Sequence, residues 1–322
     1  MKQGKVLGVK PSNFWAIEIG EGHVCAVRLQ KHEDDYCLRD FFWQDFEFDT
    51  AAPDFASAQK SAQLSALEEL LKRAGINGQD AVLSISSCKA YKQVHFLPHF
   101  INWDEVTDKK IAYRILSMSL LEGKLDQCLW DYCLTILKAT NQCLFLPYHI
   151  LVSALTRDYA ESFISVLEAH DCRLHGISID SLDSYNWLKY RGWLDKNPTR
   201  LIIIEKGFAK IVYQNAYLQQ GDGLVYGFDD VPLIGEGDIY GLISRLGRVV
   251  LTGSDYSTLD LDWLKELNVD TTYDDIKSEF LRVGWQGDTD NPLMLNQLTP
   301  VLGLALSCHQ KVAVEVNLLS QL

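Results

Sequence analysis

Two turns that place glycine beside glutamate are the part of this sequence best suited to chemistry. In the first, an apolar run leads through Glu18 to Gly20, and an alternating apolar strand follows. In the second, an apolar run leads through Ile203 and Glu205 to Gly207, again with a strand after it. Backbone N–H groups at tight glycine turns can bind the phosphates of a nucleotide. Each turn could therefore bind a phosphate group, but each also carries a glutamate whose charge disfavours phosphate.

Two further groups of polar residues are predicted to be structural. Cys88, His95 and His99 fall on or just after a strand and lack a second paired set of ligands, so we predict no metal site there. Segment 180–184 contains two aspartates and two serines but neither a nucleophile elbow nor a partnered histidine. We predict a helix N-cap at its first or second residue. The sequence therefore predicts no catalytic residue and no metal ligand.

The composition limits the classes of function. The chain has 322 residues, of which 47% are hydrophobic and 23% charged, as is typical of a globular protein with a substantial core. A formal net charge of −13 disfavours nucleic acid and anionic membrane surfaces as partners. No apolar run reaches the length of a membrane span, no signal-peptide core follows the N-terminal lysines, and the eight cysteines form no C-x-x-C pair. These features predict a soluble cytoplasmic protein.

The elements that must position the two turns alternate between strands and helices. Apolar residues recur at helical spacing over 58–74, and Gly75 ends this helix. Residues 219–238 are rich in glycine and aspartate and are predicted to form a loop, and 314–319 a strand-like tail. The polar turn 195–199 is the predicted boundary between the two halves. Further strands are predicted at 14–29, 36–48, 81–86, 90–97, 130–137, 143–145, 150–155, 176–180, 200–205, 209–213 and 249–253, and further helices at 102–121, 159–170, 181–193, 261–267 and 300–307.

A strand–glycine turn–strand unit that occurs twice resembles the duplicated core of actin-like ATPases. The order of the other segments resembles the PilM family of type IV pilus assembly proteins, with the related MshI-type proteins and the cytoplasmic domain of GspL from type II secretion. Residues 16–29 are similar to the family's opening segment, 151–180 to part of its inserted subdomain, and 300–306 to its late A-x-G-L-A-L helix.

The resemblance implies an α/β fold with a duplicated actin-like (ribonuclease H-like) core, an inserted small α+β subdomain and a shortened second half. The implied divisions are 1–82 for the first actin-like subdomain, 83–175 for the inserted subdomain, and 176–322 for the remaining first-half elements, the second actin-like subdomain and the tail.

The resemblance also implies where a nucleotide would bind, and this sequence departs from the family there. At the first turn Glu18 replaces the family's aspartate, and at the second turn Ile203 and Glu205 replace an aspartate and a glycine. At the third turn, Gly253 is the one glycine that remains of the family's glycine-rich run. Ile203 offers no oxygen to a hard cation. We therefore predict a degenerate cleft with no cofactor and no catalysis. The alternative is a working ATP- and magnesium-binding switch of the PilM type, and a relative of sugar kinases is disfavoured.

PilM proteins bind the N-terminal cytoplasmic peptide of the inner-membrane protein PilN, whose hallmark is I-N-L-L-P. Val316, Asn317, Leu318 and Leu319 resemble that hallmark. The tail either occupies the chain's own partner groove, occupies the groove of a neighbouring molecule, or packs as an ordinary terminal strand. The implied partners are a PilN-like cytoplasmic peptide and an assembly ATPase, and the implied location is the cytoplasmic side of the inner membrane, reached through partners with no membrane span.

Overall fold

The computed structural model describes residues 14–32, 35–48, 54–97, 107–120, 124–136, 148–194, 199–205, 208–215, 224–233, 248–253, 270–271 and 297–321. Its strands are β1 Trp15–Ile19, β2 His23–His32, β3 Asp35–Asp45, β4 Asp80–Ile85, β5 Ala90–Leu97, β6 Cys128–Ile136, β7 Tyr148–Thr156, β8 Arg173–Ile179, β9 Thr199–Glu205, β10 Phe208–Asn215, β11 Leu224–Pro232, β12 Arg248–Gly253 and β13 Asp270–Thr271. Its helices are α1 Phe55–Ala74, α2 Asp108–Ser119, α3 Arg157–Ala169, α4 Asp180–Tyr190 and α5 Thr299–His309, and a 3₁₀ helix follows at Leu318–Gln321. Among these described residues, no helix is long and apolar enough to span a bilayer.

Two five-stranded sheets repeat one strand order. The first sheet runs β3-β2-β1-β4-β8, and the second runs β11-β10-β9-β12-β13. In each sheet, the first three strands along the chain form an antiparallel meander. The next two strands then lie parallel to the first strand of that meander. This repetition is the duplicated actin-like core, and the predicted α/β fold class is confirmed. The predicted shortening of the second half concerns residues that lie mostly outside the described ranges.

A three-stranded antiparallel sheet, β5-β7-β6, is inserted between β4 and β8. Helix α2 covers it, with Ala112 and Leu116 packed against strand residues such as Val152. The predicted limits of this subdomain, 83 and 175, fall inside β4 and β8, which both belong to the first sheet. The inserted sheet begins at Ala90 and ends at Thr156. The sequence misplaces the limits because β8 pairs with β4 across the whole insertion, and this pairing leaves no turn signal at residue 175.

One apolar core lies within the first half of the chain, and a second joins the two halves. The first lies between the first sheet and helices α1 and α3, which contribute Leu67, Leu70 and Phe163. The second lies where α4 and α5 pack between the two large sheets. Helices α4 and α5 meet backbone to backbone, because a Cβ added to Gly303 would lie 1.8 Å from the carbonyl oxygen of Asp183.

Strand β11 lies within 219–238, so the predicted loop there is wrong for nine of its residues. It is an edge strand paired along its length with β10. Exposed aspartate is common on edge strands, where charge prevents pairing with other molecules. The predicted strand at 143–145 and the predicted helix at 261–267 lie outside the described residues.

Candidate functional site

The first turn, between β1 and β2, is held from inside by α1. The backbone N–H of Gly20 donates to the carbonyl oxygen of His23 at 2.9 Å, which closes the turn. Gln63 donates to the carbonyl oxygen of Gly20 at 2.9 Å, and Gln59 donates to the Glu21 carboxylate at 2.6 Å. Because the two glutamines are four residues apart, both lie on the face of α1 that covers the turn. The polar groups of the turn are therefore bonded to the protein itself.

Glu21 of this turn is a buried and fully paired carboxylate. It accepts a hydrogen bond from the Ser86 hydroxyl, and the Lys89 ammonium lies 3.9 Å away. Burial raises the pKa of Glu21, but the charges of Lys210 and Lys89, with hydrogen bonds from Ser86 and Gln59, outweigh burial and hold this pKa below its usual value. Glu21 is thus an ionised structural group at neutral pH.

The strand registers show which residues of the two turns correspond. Glu18 and Ile203 each occupy the second-last paired position between the first strand of a meander and its parallel neighbour. Gly20 and Glu205 each follow two residues later. The structure therefore gives the same correspondence as the sequence, with Ile203 at the position of Glu18 and Glu205 at the position of Gly20.

Glu205 belongs to a buried ionic cluster with Lys210 and Asp180. Lys210 extends from β10, and its Nζ donates to Asp180 Oδ2 at 2.5 Å and to Glu205 Oε2 at 2.6 Å. Lys210 is 0% exposed, and both carboxylates are buried. Asp180 also accepts a hydrogen bond from the Ser87 backbone N–H at 2.9 Å through its other oxygen. The cluster connects α4, in the first half of the chain, with β9 and β10 in the second.

The predicted N-cap at Asp180 or Ser181 is wrong. Ile179 occupies the N-cap position of α4, and no side chain caps the helix there. Asp180 is the first helical residue, and its carboxylate is bonded to Ser87 and Lys210 instead. The bond to the buried Lys210 ammonium is charge-assisted.

Burial and charge shift the pKa of each member of the cluster. Burial lowers the pKa of Lys210, but Asp180 and Glu205 raise it well above its usual value, so the lysine stays protonated. Burial raises the pKa of Glu205 to about 7 despite the opposing charge of Lys210. Burial also raises the pKa of Asp180. The cluster therefore combines a permanent cation with a carboxyl group that titrates near neutral pH.

Glu18 is a third carboxylate at the same place. One oxygen each of Glu18, Asp180 and Glu205 lie within 4.8 Å of one another. Glu18 is 0% exposed, and its Oε1 has no hydrogen-bond partner among the described residues. His23 Nε2 lies 3.5 Å from that oxygen. Burial lowers the pKa of His23, but the interaction with Glu18 raises it above its usual value.

A divalent cation, which the fold implies at such a cleft, does not fit this cluster as it stands. Three converging carboxylates are a ligand set that hard cations prefer. The Lys210 ammonium, however, already contacts two of them. A cation at the roughly 2.0–2.6 Å from oxygen that Mg²⁺ and Ca²⁺ require would lie against that ammonium. The same oxygens can serve one of the two cations but not both.

Gly253, the predicted remnant of the third turn, is required by a close approach of two strands. Its φ is +116°, and an added Cβ would lie 2.1 Å from the carbonyl oxygen of Ile204 on β9. No other residue fits this position without moving the strands. Gly253 is therefore structural, whatever the cleft binds.

The C-terminal segment 312–321, called the tail below, lies between β8 and β6 of the same chain. Its 3₁₀ helix contacts β8 of the first sheet and β6 and β7 of the inserted sheet. Val316 and Leu318 are buried in the first apolar core, and Leu319 packs against it. In this structure of a single chain, the tail lies against the inserted subdomain and β8 of its own molecule.

Asn317 bonds to the edge of β8 with its side chain. Its Oδ1 accepts from the backbone N–H of Ile177 at 3.2 Å, and its Nδ2 donates to the carbonyl oxygen of His175 at 3.3 Å. The backbone N–H of Asn317 donates to Asp131 Oδ2 on β6 at 2.7 Å. The amide lies so close to Gly176 that a Cβ there would be 3.2 Å away. One asparagine thus joins the two subdomains.

A second asparagine, Asn186 of α4, bonds to the backbone of the tail at Val314. The Val314 backbone N–H donates to Asn186 Oδ1 at 2.9 Å, and Asn186 Nδ2 donates to the Val314 carbonyl oxygen at 2.7 Å. The predicted strand-like tail is therefore wrong, because the tail is irregular up to Asn317 and 3₁₀-helical after it. At the edge of β8, the side-chain amide of Asn317 makes the bonds that a sixth strand would make with its backbone.

Sequence reasoning missed Lys210, Asp180 and the two glutamines of α1. Lys210 was detectable, because it is the single charged residue in the apolar strand pattern of 208–213. Gln59 and Gln63 are separated by a helical turn on the buried face of α1, but polar residues at this spacing are common on exposed faces too. Their contacts depend on the tertiary structure.

The repeated sheet order and the inserted sheet define this chain as a protein of the actin-like fold. No family model matches its sequence, and no curated protein matches it. Among solved structures, a chain of the PilM-PilN type IV pilus biogenesis complex is similar, with a TM-score of 0.67 at 11% identity, covering 94% of this chain and 100% of that one.

Two other solved structures are similar at lower scores. The cytoplasmic domain of EpsL, an inner-membrane component of the type II secretion system of Vibrio cholerae, has a TM-score of 0.49 at 10% identity and covers 96% of this chain and 98% of its own. A Bacteroides thetaiotaomicron protein with actin-like ATPase fold and unknown function has a TM-score of 0.45 at 15% identity, covering 81% and 90%. At these identities the likeness shows the fold alone.

Proposed function

We propose that this chain is a non-catalytic cytoplasmic scaffold in the assembly machine of a type IV pilus or a related type II secretion system. In this role it binds a short cytoplasmic peptide of an inner-membrane partner, and it has no ATPase activity. The observation that carries the proposal is the tail, which lies in a groove between the actin-like core and the inserted sheet.

The chemistry of this groove suits an extended peptide. The edge of β8 offers the carbonyl oxygen of His175 and the N–H of Ile177, and the adjoining core accepts two apolar side chains from the tail. Main-chain groups at a sheet edge supply affinity for a peptide, and pockets for its side chains supply specificity. A ligand with the pattern apolar-Asn-apolar-apolar would reproduce the contacts of Val316, Asn317 and Leu318.

The similarity to a chain of the PilM-PilN complex supports a partner of the PilN type. We infer that the partner's peptide carries this pattern and competes with the tail for the groove. Binding would then exchange an internal segment for an external one and leave the core unchanged.

A labelled synthetic peptide of residues 312–322 tests the proposal against the full chain and a chain ending at residue 311. We expect saturable binding to the shortened chain and weaker binding to the full chain, whose groove is occupied. A peptide with alanine in place of Asn317 is the matched control and should bind weakly to both. A shortened chain that melts cooperatively yet ignores the peptide would contradict the proposal.

The second candidate function is an ATP-binding switch, which the convergence of Glu18, Asp180 and Glu205 favours. A ligand at about 100 times its Kd stabilises the folded state by roughly 2.7 kcal/mol. We expect magnesium and ATP together to leave the melting temperature of the full chain unchanged. A rise of several degrees would support the switch and contradict a cleft that no longer binds a nucleotide.

A further inference from the structure

The cluster of Lys210 and its carboxylates contains more buried charge than stability alone explains. Lys210, Asp180 and Glu18 are each 0% exposed, and Glu205 is 2% exposed. Moving an ion out of water costs several kcal/mol even after relaxation, so buried charges persist only where they are closely paired. Here three carboxyl groups lie within 4.8 Å of one another, and the Lys210 ammonium bonds to two of them.

We propose that Lys210 is a resident cation, whose ammonium stands in place of a divalent metal ion among Asp180, Glu205 and Glu18 and joins the two halves of the chain without any ligand. This inference deepens the non-catalytic part of the proposed function. Peptide binding does not enter its test, so either can fail without the other.

The contacts around Lys210 support this role in three ways. The ammonium lies 2.5 Å from Asp180 and 2.6 Å from Glu205, and it bonds to both at once as a bridging metal ion does. Its two partners come from α4 and β9, which belong to different halves of the fold. Its own strand, β10, pairs with β9 at Lys210 and Ile203, so the cation is tethered directly opposite the residue that lacks a carboxylate.

Glu18 supplies an independent indication that the cluster has room for a different cation. Its Oε1 is fully buried and makes no hydrogen bond among the described residues, with His23 Nε2 at 3.5 Å as its ion-pair partner, and one of its two oxygens lies within 4.8 Å of oxygens of Asp180 and Glu205. An ammonium has three N–H donors and makes no more than three short contacts. A divalent cation takes six or more oxygen ligands and would recruit Glu18 as well. Removing the ammonium should therefore convert the cluster into a divalent cation site.

Thermal melting of the full chain and the variant Lys210→Met, each with and without millimolar Mn²⁺, tests the proposal. We expect Mn²⁺ to leave the melting temperature of the full chain unchanged. Removing one partner of a buried ion pair should lower the melting temperature of Lys210→Met by about 5 to 10 °C near neutral pH. Mn²⁺ should restore much of that loss, and calorimetry should show one bound ion per chain. Lys72→Met, which removes an exposed lysine beside Glu68, is the matched control and should melt within about 1 to 2 °C of the full chain with no response to Mn²⁺.

The double variant Lys210→Met with Glu205→Gln keeps the test decisive if the single variant does not fold. Because it removes one positive and one negative charge together, it should fold and melt at a higher temperature than Lys210→Met. Saturable binding of Mn²⁺ to the unaltered chain would overturn the proposal. So would a Lys210→Met variant that is as stable as the full chain, or that is destabilised but indifferent to Mn²⁺, and so would a double variant no more stable than the single one.

Discussion

Replacing Asn317 with alanine should release the tail from its groove and leave the core folded. The side chain makes three hydrogen bonds of 3.1 to 3.3 Å, to the backbone of Ile177, His175 and Leu319. Alanine removes all three and leaves the N–H of Ile177 and the carbonyl oxygen of His175 unpaired at the edge of β8. An unpaired buried backbone group costs about 1–3 kcal/mol. Because the tail is only partly buried here, the lower end applies to each group, and about 2–3 kcal/mol of docking free energy is lost.

This loss translates into a change in peptide affinity. While the tail is docked most of the time, the apparent Kd of a competing peptide varies inversely with the fraction of open grooves. A loss of about 2–3 kcal/mol raises that fraction, and the affinity, by roughly 30- to 150-fold. Fluorescence anisotropy with the labelled 312–322 peptide measures the change directly.

Two further variants of the tail make the measurement specific. Glu315→Ala alters an exposed neighbour and should leave peptide affinity unchanged. Asn317→Asp keeps the size and the acceptor but loses the donor to His175, and it adds a negative charge beside Asp131, whose carboxylate accepts from the Asn317 backbone. It should open the groove at least as far as alanine does. An Asn317→Ala chain with unchanged melting behaviour and unchanged peptide affinity would refute the reasoning.

Three predictions concern stability. Gly303→Ala should lower the melting temperature by at least 5 °C or so, since its Cβ would lie 1.8 Å from the carbonyl oxygen of Asp183, and a packing clash of this size costs several kcal/mol. Burial lowers the pKa of His149 to about 4, so its contribution to stability is complete above about pH 6.5, and about 3 kcal/mol of it is lost as the pH falls from there through 4. The free energy of unfolding, measured with urea, should fall over this pH range in the full chain and not in His149→Gln. Burial raises the pKa of Glu205 to about 7, so the full chain loses stability as the pH rises from about 4.5 through 7. Over that pH range, the unfolding free energy of Glu205→Gln, measured relative to that of the full chain, should increase by about 3 kcal/mol.

The sequence predicted the parts of the fold that repeat locally. The two strand–turn–strand units, and the correspondence of Ile203 with Glu18, follow from apolar runs and glycines that are close together in the chain. The limits of the inserted sheet did not follow, because β8 returns to β4 after an excursion of more than eighty residues and pairing at that distance leaves no local mark. The edge strand β11 was missed because its glycine and aspartates are typical of a loop.

Contacts between residues that are distant in sequence also explain why the candidate site was predicted only in part. Glu18, Gly20, Glu205 and Gly253 were found from the sequence, since each lies at the end of an apolar strand. Their partners come from elsewhere in the chain: Lys210 meets Asp180 across thirty residues, and Gln63 meets Gly20 across forty-three. The predicted N-cap for Asp180 was the local solution, and a buried ammonium from another strand overrode it.

Helix α4 connects the two unusual features of this molecule. Asp180 at its start bonds to Lys210, and Asn186, about two turns later, bonds to the tail at Val314. Between them, Asp183 accepts hydrogen bonds from Ser84 and Ser178 at 2.6 and 2.8 Å and fixes the helix to the first sheet. The first turn of α4 therefore contacts the proposed resident cation, and its middle contacts the tail in the proposed peptide groove. Because α4 packs backbone to backbone against α5 at Gly303 and Asp183, we expect exchange of the tail for a partner peptide to proceed without any change at the Lys210 cluster. The protein would then respond to its partner and not to a nucleotide.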